Sequence, residues 1–263
     1  MWLEDECKLC LIHSRSSDLV KLGKAHALPA LLDYLSRAVT MESRSEAFAE
    51  SFRRVAELAG SDDPYGEYKK RLYEVGRAVA EMVREKLEAA SWDLKLALRI
   101  AAAANIIDSN VLGYRPRKLE SAIWDEPAIE EYVELPRNVY YVIDNEGEAQ
   151  IDYVVMEALR RNGIEPTPVV RSQPYEIDVV ADSLKGALAT PGNISPVKWL
   201  SGRGFIIAKG IANAEAYLEW GGDTPALLLF RAKCDVLARR LGVEKNASLI
   251  IRGETFKKIL QHY

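Results

Sequence analysis

From about residue 17 to residue 119 the apolar positions recur every three or four residues, the spacing of amphipathic helices. Leu19, Leu22, Leu28, Leu31, Leu32 and Leu35 mark the first of them. Ser45–Ala59 gives another, with Phe48, Phe52, Val55 and Leu58 on one stripe. Gly60 then stops the pattern, and Asp63-Pro64 offers a cap and a first helical residue for a helix running to about Ala90. The stretch from Ser91 to Asp108 is apolar nearly all round, which predicts a buried helix. Residues 111–137, with Gly113, Pro116, Pro127 and Pro136, read as a connector holding a short helix near Leu119–Trp124.

After Val139 short apolar runs alternate with helical ones, the pattern of an α/β layer. Strands are predicted at Val139–Ile143, Thr167–Val170, Ile177–Val180, Gly204–Ala208, Ala226–Phe230 and Ser248–Ile251. Helices are predicted near Gln150–Asn162, Asp182–Leu188, Asn213–Trp220, Lys233–Leu241 and Thr255–His262. The expected architecture is α/β: a helical N-terminal subdomain, residues 1–125, packed on a Rossmann-like, mainly parallel α/β/α domain, residues 126–263.

Composition narrows the function. The chain has 263 residues, a net charge of −4 and no long basic run, so nucleic acid is not an expected partner. No apolar segment is long enough for a membrane span, and the acidic start Met1–Glu6 has no signal-peptide core. Three cysteines make no disulfide framework, which fits a reducing cytoplasm. Cys7-Lys8-Leu9-Cys10 has the spacing of half a metal site or a redox pair, and equally of two ordinary cysteines; no second C-x-x-C exists.

Candidate chemistry lies where the apolar runs end. In parallel sheets, ligands bind outside the carboxyl ends of the strands. The first run ends in Asp144-Asn145, two oxygen donors that could equally cap the next helix. Asp178 interrupts a later apolar run; Lys209-Gly210 ends another, with Asn213 and Glu215 beyond; Arg231 and Lys233 end the next. Two carboxylates and an amide can hold one octahedral cation, and two lysines after neighbouring strands can neutralise a phosphate. Asn105 and Asp108 share one face of the buried helix and either bond to backbone or point into a site. The dinucleotide fingerprint, the P-loop and the G-x-S-x-G elbow are absent, and His13, His26 and His262 lie away from these strand ends.

Taken in order, Asp63-Pro64-Tyr65, Ala104-Asn105-Ile106-Ile107-Asp108, Asp144-Asn145-Glu146-Gly147-Glu148, Asp178, Ala208-Lys209-Gly210 through Asn213 and Glu215, and Ala232-Lys233-Cys234 resemble the metal-dependent damage-control phosphatases, the domain of unknown function 89. Cys7 and Cys10 resemble the C-x-x-C of the prokaryotic branch. The resemblance implies one divalent metal (Mn, Ni, Co or Mg) held by Asp144, Asn145 and Asp178, with Asp144, Asp178 and Lys209 carrying the catalysis. It implies a small phosphorylated metabolite as substrate, a sugar phosphate or a damaged cofactor or nucleotide intermediate, contacted by Asn105, Asp108, Glu148, Asn213 and Lys233. Ala104 and Ala212 stand where the family usually has Gly, and Ile177 where it usually has Asn. Two rival functions are an S-adenosylmethionine-dependent methyltransferase, which would want a glycine-rich first turn, and a non-catalytic metabolite- or metal-binding protein.

Overall fold

The apolar runs of the second half become one sheet. In the computed structural model, which describes residues 1–107, 111–112, 115, 117–181, 184 and 186–261, the strands are β1 (Pro127–Glu130), β2 (Asn138–Val142), β3 (Glu165–Val170), β4 (Leu188–Ala189), β5 (Ile206–Lys209), β6 (Ala226–Arg231) and β7 (Ser248–Arg252). Their spatial order is β1-β7-β6-β5-β2-β3-β4. Every neighbouring pair is parallel except β6 and β7. All six residues of β6 are buried, the continuous apolar run expected of a strand covered on both faces.

The chain steps outward from β2 to β3 and β4, then returns to β5 on β2's other side. The crevice between the ends of β2 and β5 is therefore the topological switch point, where open α/β sheets take their ligands. Val142 sits opposite both Ala208 and Val169, so the residues that follow β2 and β5 emerge side by side.

Alternation along the strands divides the core. Tyr141, Ile143, Ile207 and Leu229 face a layer made by α4 (Gly66–Ala89), α5 (Leu94–Ala104) and α7 (Glu146–Arg161). Val142, Ala208, Leu228 and Phe230 face α8 (Pro196–Leu200), α9 (Ile211–Trp220), α10 (Asp235–Leu241) and α11 (Gly253–Gln261). Three α-helices precede α4: α1 (Glu6–Lys21), α2 (Leu28–Ala38) and α3 (Arg44–Ala59), which close a smaller core of Leu11, Leu19, Leu31, Leu35, Ala47 and Val55. Within residues 1–125, then, α1–α3 form a cap with its own core, while α4 and α5 share a core with the sheet.

Local chemistry explains the helix ends. Ser43 Oγ accepts from Glu46 N at the start of α3, and Gly60 ends it at φ 71°. Asp93 caps α5 through Leu96 N, and residues 100–104 of that helix are all buried. Asp63 starts no helix: α4 begins at Gly66, and the Asp63 carboxylate accepts from Lys69 Nζ at 3.1 Å. α6 is a single turn, Leu119–Ala122.

Three expectations differ from the fold. Ile177–Val180 is not a strand; it makes only single-residue bridges, Asn145 to Asp178 and Arg171 to Val180. Its apolar residues Ile177, Val179 and Val180 mimic a strand, but Asp178 N turns back to Tyr175 O and Glu176 takes φ 45°. β1 and β4 were not expected; one is four residues opening on a proline, the other two exposed residues. The helix expected at Asp182–Leu188 falls partly outside the described residues, and Leu188 belongs to β4. No helix among the described residues is long and apolar enough to cross a membrane.

Candidate active site at the β2–β5 crevice

β2 delivers Asp144 and Asn145 to the crevice, and α7 begins immediately after them. Asn145 occupies the N-cap position yet makes no capping bond. Its Nδ2 donates to Glu148, and its Oδ1 is buried with no hydrogen-bond partner. The strand end is thus arranged for something other than starting a helix, since buried polar atoms are ordinarily satisfied.

Glu148, in the first turn of α7 and fully buried, is the hub. Its Oε1 accepts from Asn105 Nδ2 at 2.8 Å and from Asn145 Nδ2; its Oε2 accepts from Lys209 Nζ. Asn105, the residue that ends α5, also donates from Nδ2 to Asp144 Oδ2 at 2.9 Å. One amide of the buried helix thereby links Asp144 at the end of β2 to Glu148 of α7.

Lys209 ends β5 with its side chain fully buried between Glu148 and Asp152. It donates to Asp152 Oδ1 at 2.9 Å, and Tyr141 OH donates to the same oxygen at 2.7 Å. Burial works against the ammonium, but Asp152 and Glu148 outweigh it and raise the Lys209 pKa, so Lys209 stays charged. Gly210 follows at φ 86°, ψ 152°, a region essentially restricted to glycine. A Cβ there would lie 2.1 Å from Asp144 Oδ2. The glycine lets the backbone lie directly against the Asp144 carboxylate.

Asp178 arrives from the Tyr175–Val179 loop. Val179 N donates to Asp144 O at 2.9 Å and Glu146 N to Ile177 O at 3.0 Å, which stitches the loop to the end of β2. Arg171, just past β3, donates from Nε to Asp178 Oδ2 at 2.8 Å. Ile177 is buried with Phe52, Tyr65 and Leu72 and pins the loop to the helices around it.

The electrostatics are those of crowded carboxylates. Burial, then the charges of Asp178 and Glu148, push the Asp144 carboxyl well above the ordinary carboxylate range. Burial lifts Asp178 to about 6 despite Arg171, and Asp152 to about 6 despite Lys209. Asp144, Asn145 and Asp178 supply two carboxylates and an amide oxygen; among the described residues no group of three or more His, Cys, Asp or Glu is arranged to hold a metal ion.

The remaining expected residues fall as follows. Asn213, on the first turn of α9, donates to Lys209 O at 2.8 Å, and its buried Oδ1 has no partner. Lys233, beyond β6 and 1% exposed, donates to Ile107 O at 2.8 Å. Asp108 lies outside the described residues. Cys10 and Cys234 line a cavity of about 520 Å³ between the cap and α9, together with Arg44, Phe48, Tyr175 and Glu215. Arg171 and Ala212 border that cavity as well, and Arg171 is the residue that bonds Asp178.

Residues 6–192 match the family model described as the damage-control phosphatase ARMT1-like domain. The chain belongs to this family. Damage-control phosphatase PH1575 of Pyrococcus horikoshii is 29% identical over 97% of this chain and 99% of its own length. A damage-control phosphatase of Archaeoglobus fulgidus is 30% identical over 73% of this chain and 76% of its own. The crystal structure of PH1575, a DUF89 family protein, shares the fold with a TM-score of 0.76 and 25% identity, covering 95% of this chain and 98% of that one. Membership of the ARMT1-like family carries a phosphohydrolase role. The matched span takes in Asn105, Asp144, Asn145, Glu148 and Asp178, while Lys209, Asn213 and Lys233 lie beyond it.

Two parts of the crevice escaped the sequence. Arg171 repeats the pattern seen elsewhere, a polar residue closing an apolar run, and that signal was available in Val169-Val170-Arg171. Asp152 had no such signal; it lies two turns into α7 and meets Lys209 only because β2 and β5 are neighbours.

Proposed function

We propose that the chain is a metal-dependent phosphohydrolase that releases phosphate from small phosphorylated metabolites, sugar phosphates or damaged cofactor or nucleotide intermediates. The observation that carries this reading is the state of the β2 end. Asp144 is crowded by Asp178 and Glu148, and Asn145 Oδ1 is buried without a partner beside it. Lone carboxylates in that setting are driven toward protonation, and a divalent cation is the group that relieves both conditions at once. The residues present therefore fit a metal: Asp144, Asn145 and Asp178 would hold one Mn, Ni, Co or Mg ion. When bound, such an ion polarises a phosphoryl oxygen and lowers the pKa of a coordinated water.

The chain's own groups do the rest. Asn105 orients Asp144 and Glu148 with one amide. Lys209 offsets Glu148 and Asp152, which leaves Asp144 without a paired cation and Asp178 with Arg171 alone, and these two would serve an added cation. Lys233 and Asn213 stand at the ends of neighbouring elements, where they can contact the phosphoryl group and stabilise charge that develops on it. The 520 Å³ cavity beyond Arg171 has room for the organic part of a small metabolite.

The test is phosphate release from a panel of phosphorylated metabolites with Mn, Co, Ni or Mg added to chelator-treated protein. Metal-stimulated release is expected, and Asp144→Asn should abolish it. Release that ignores metal, or that survives in Asp144→Asn, would refute the assignment.

A further inference from the structure

The Tyr175–Val179 loop is held from two sides. On the sheet side it is stitched to Asp144 and Glu146, as described above. On the other side it meets the α1–α3 cap, through packing on Phe52 of α3 and through one charged residue, Arg15 of α1. Arg15 is fully buried and uses its whole guanidinium. Nε donates to Ser51 Oγ at 3.1 Å and Nη1 to Asp18 Oδ2 at 2.7 Å. Nη2 donates to Glu176 Oε1 at 2.5 Å, to Phe48 O at 3.2 Å and to Tyr175 OH at 3.4 Å.

These contacts lead directly to Asp178. Glu176 holds φ 45°, a backbone that non-glycine residues keep only when their surroundings enforce it. The Tyr175 ring lies edge-on to Phe52 of α3, with centroids 5.5 Å apart, and Arg171 lies 4.4 Å over its face. Arg171 is the residue that grips Asp178 Oδ2. Asp18 alone would balance the charge on Arg15, so the second carboxylate, Glu176, is not needed to keep the cap neutral. What the second pair adds is a fixed distance between the cap and the loop.

We infer that Arg15 is a positioning residue: through Glu176 and Tyr175 it sets where Asp178 stands, and so couples the α1–α3 cap to the proposed metal set. This rests on the assignment of Asp144, Asn145 and Asp178 as that set. A guanidinium is suited to the task because its planar fork reaches these five partners in fixed directions, which an ammonium cannot do. Partners that orient metal ligands typically change metal affinity 10- to 100-fold when removed.

The experiment is calorimetric titration of Mn²⁺ into the chelator-treated full chain, with urea unfolding run in parallel. Glu176→Gln keeps an acceptor but loses the ion pair; Arg15→Lys keeps the charge but loses the fork; Glu176→Gly removes the clamp while relieving the left-handed backbone. All three should weaken Mn²⁺ binding by roughly tenfold or more. Leu31→Ala, a cavity in the cap core away from the loop, should lower stability and leave Mn²⁺ affinity within about twofold. If Arg15→Lys does not fold, the two Glu176 variants decide. Wild-type affinity in the Glu176 variants, or an equal loss in Leu31→Ala, would overturn the inference while leaving the metal assignment standing. Absence of Mn²⁺ binding in the wild type would overturn both.

Discussion

Gly210→Ala isolates the contact between the two strands that build the site. The added Cβ would fall 2.1 Å from Asp144 Oδ2 and 2.2 Å from Cγ. Ordinary contact begins near 3.4 Å, so the carboxylate must retreat by 3.4 − 2.1, about 1.3 Å, or the backbone must shift by as much. A misplacement of about 1 Å in a catalytic group can lower the rate about 100-fold. The φ of 86° and ψ of 152° add a backbone strain of about 1–3 kcal/mol for any non-glycine residue. At roughly 2–4 °C per kcal/mol for a chain of this size, the melting temperature should fall by several degrees. Gly60→Ala supplies the control: Gly60 has φ 71°, and a Cβ there would meet nothing within 4 Å. It should lose stability to a similar extent and keep metal-stimulated phosphate release. The assay is thermal unfolding together with phosphate release at saturating metal. Equal release by Gly210→Ala and wild type would refute the idea that β5 fixes Asp144 by close approach.

Lys209→Met should destabilise the protein by about 3–5 kcal/mol in urea unfolding near neutral pH, because it strands Glu148 and Asp152 in a buried site without their shared cation. The double variant Lys209→Met with Asp152→Asn should recover part of that loss. Asp152 also sets a pH dependence. Its folded pKa, about 6, lies above the ordinary value of 3.8, so the native state binds the extra proton and Asp152 reduces stability as pH rises from about 4 to 6. The stability of wild type relative to Asp152→Asn should therefore fall across that window and level off above it; a difference that is flat with pH would contradict the raised value.

The site was legible in the sequence wherever an apolar run ended in polar residues. Asp144-Asn145 and Lys209-Gly210 are separated by 64 positions, yet each lies at the end of a strand, and adjacency of β2 and β5 does the rest. The pattern could not show whether Asn145 caps α7, because a cap and a ligand occupy the same position; only its orphaned Oδ1 separates them. It misled at Ile177–Val180, where an apolar run interrupted only by Asp178 reads as a strand, while the backbone bonds belong to a loop. It was silent on Arg15, whose partner Glu176 is 161 positions away and whose neighbours on α1 give no hint of a buried charge. Periodicity reports which face of an element is covered, not which distant element covers it.

The charges explain why Asp144, among the four buried carboxylates held by Asn105, Lys209 and Arg171, is the one on which the chemistry should centre. Glu148 and Asp152 share Lys209, and Asp178 has Arg171. Among the described residues Asp144 forms no ion pair; its side-chain bond comes from the neutral amide of Asn105, and Lys209 and Lys233 act on it only from a distance. A buried carboxylate without a paired cation either takes up a proton or recruits a cation from outside. The contact with Gly210 leaves no room on the β5 side for a side chain to supply that charge, and Asn145 Oδ1 waits unpaired beside it. The fold has compensated three carboxylates with its own lysine and arginine and left the fourth, at the switch point of the sheet, to a ligand.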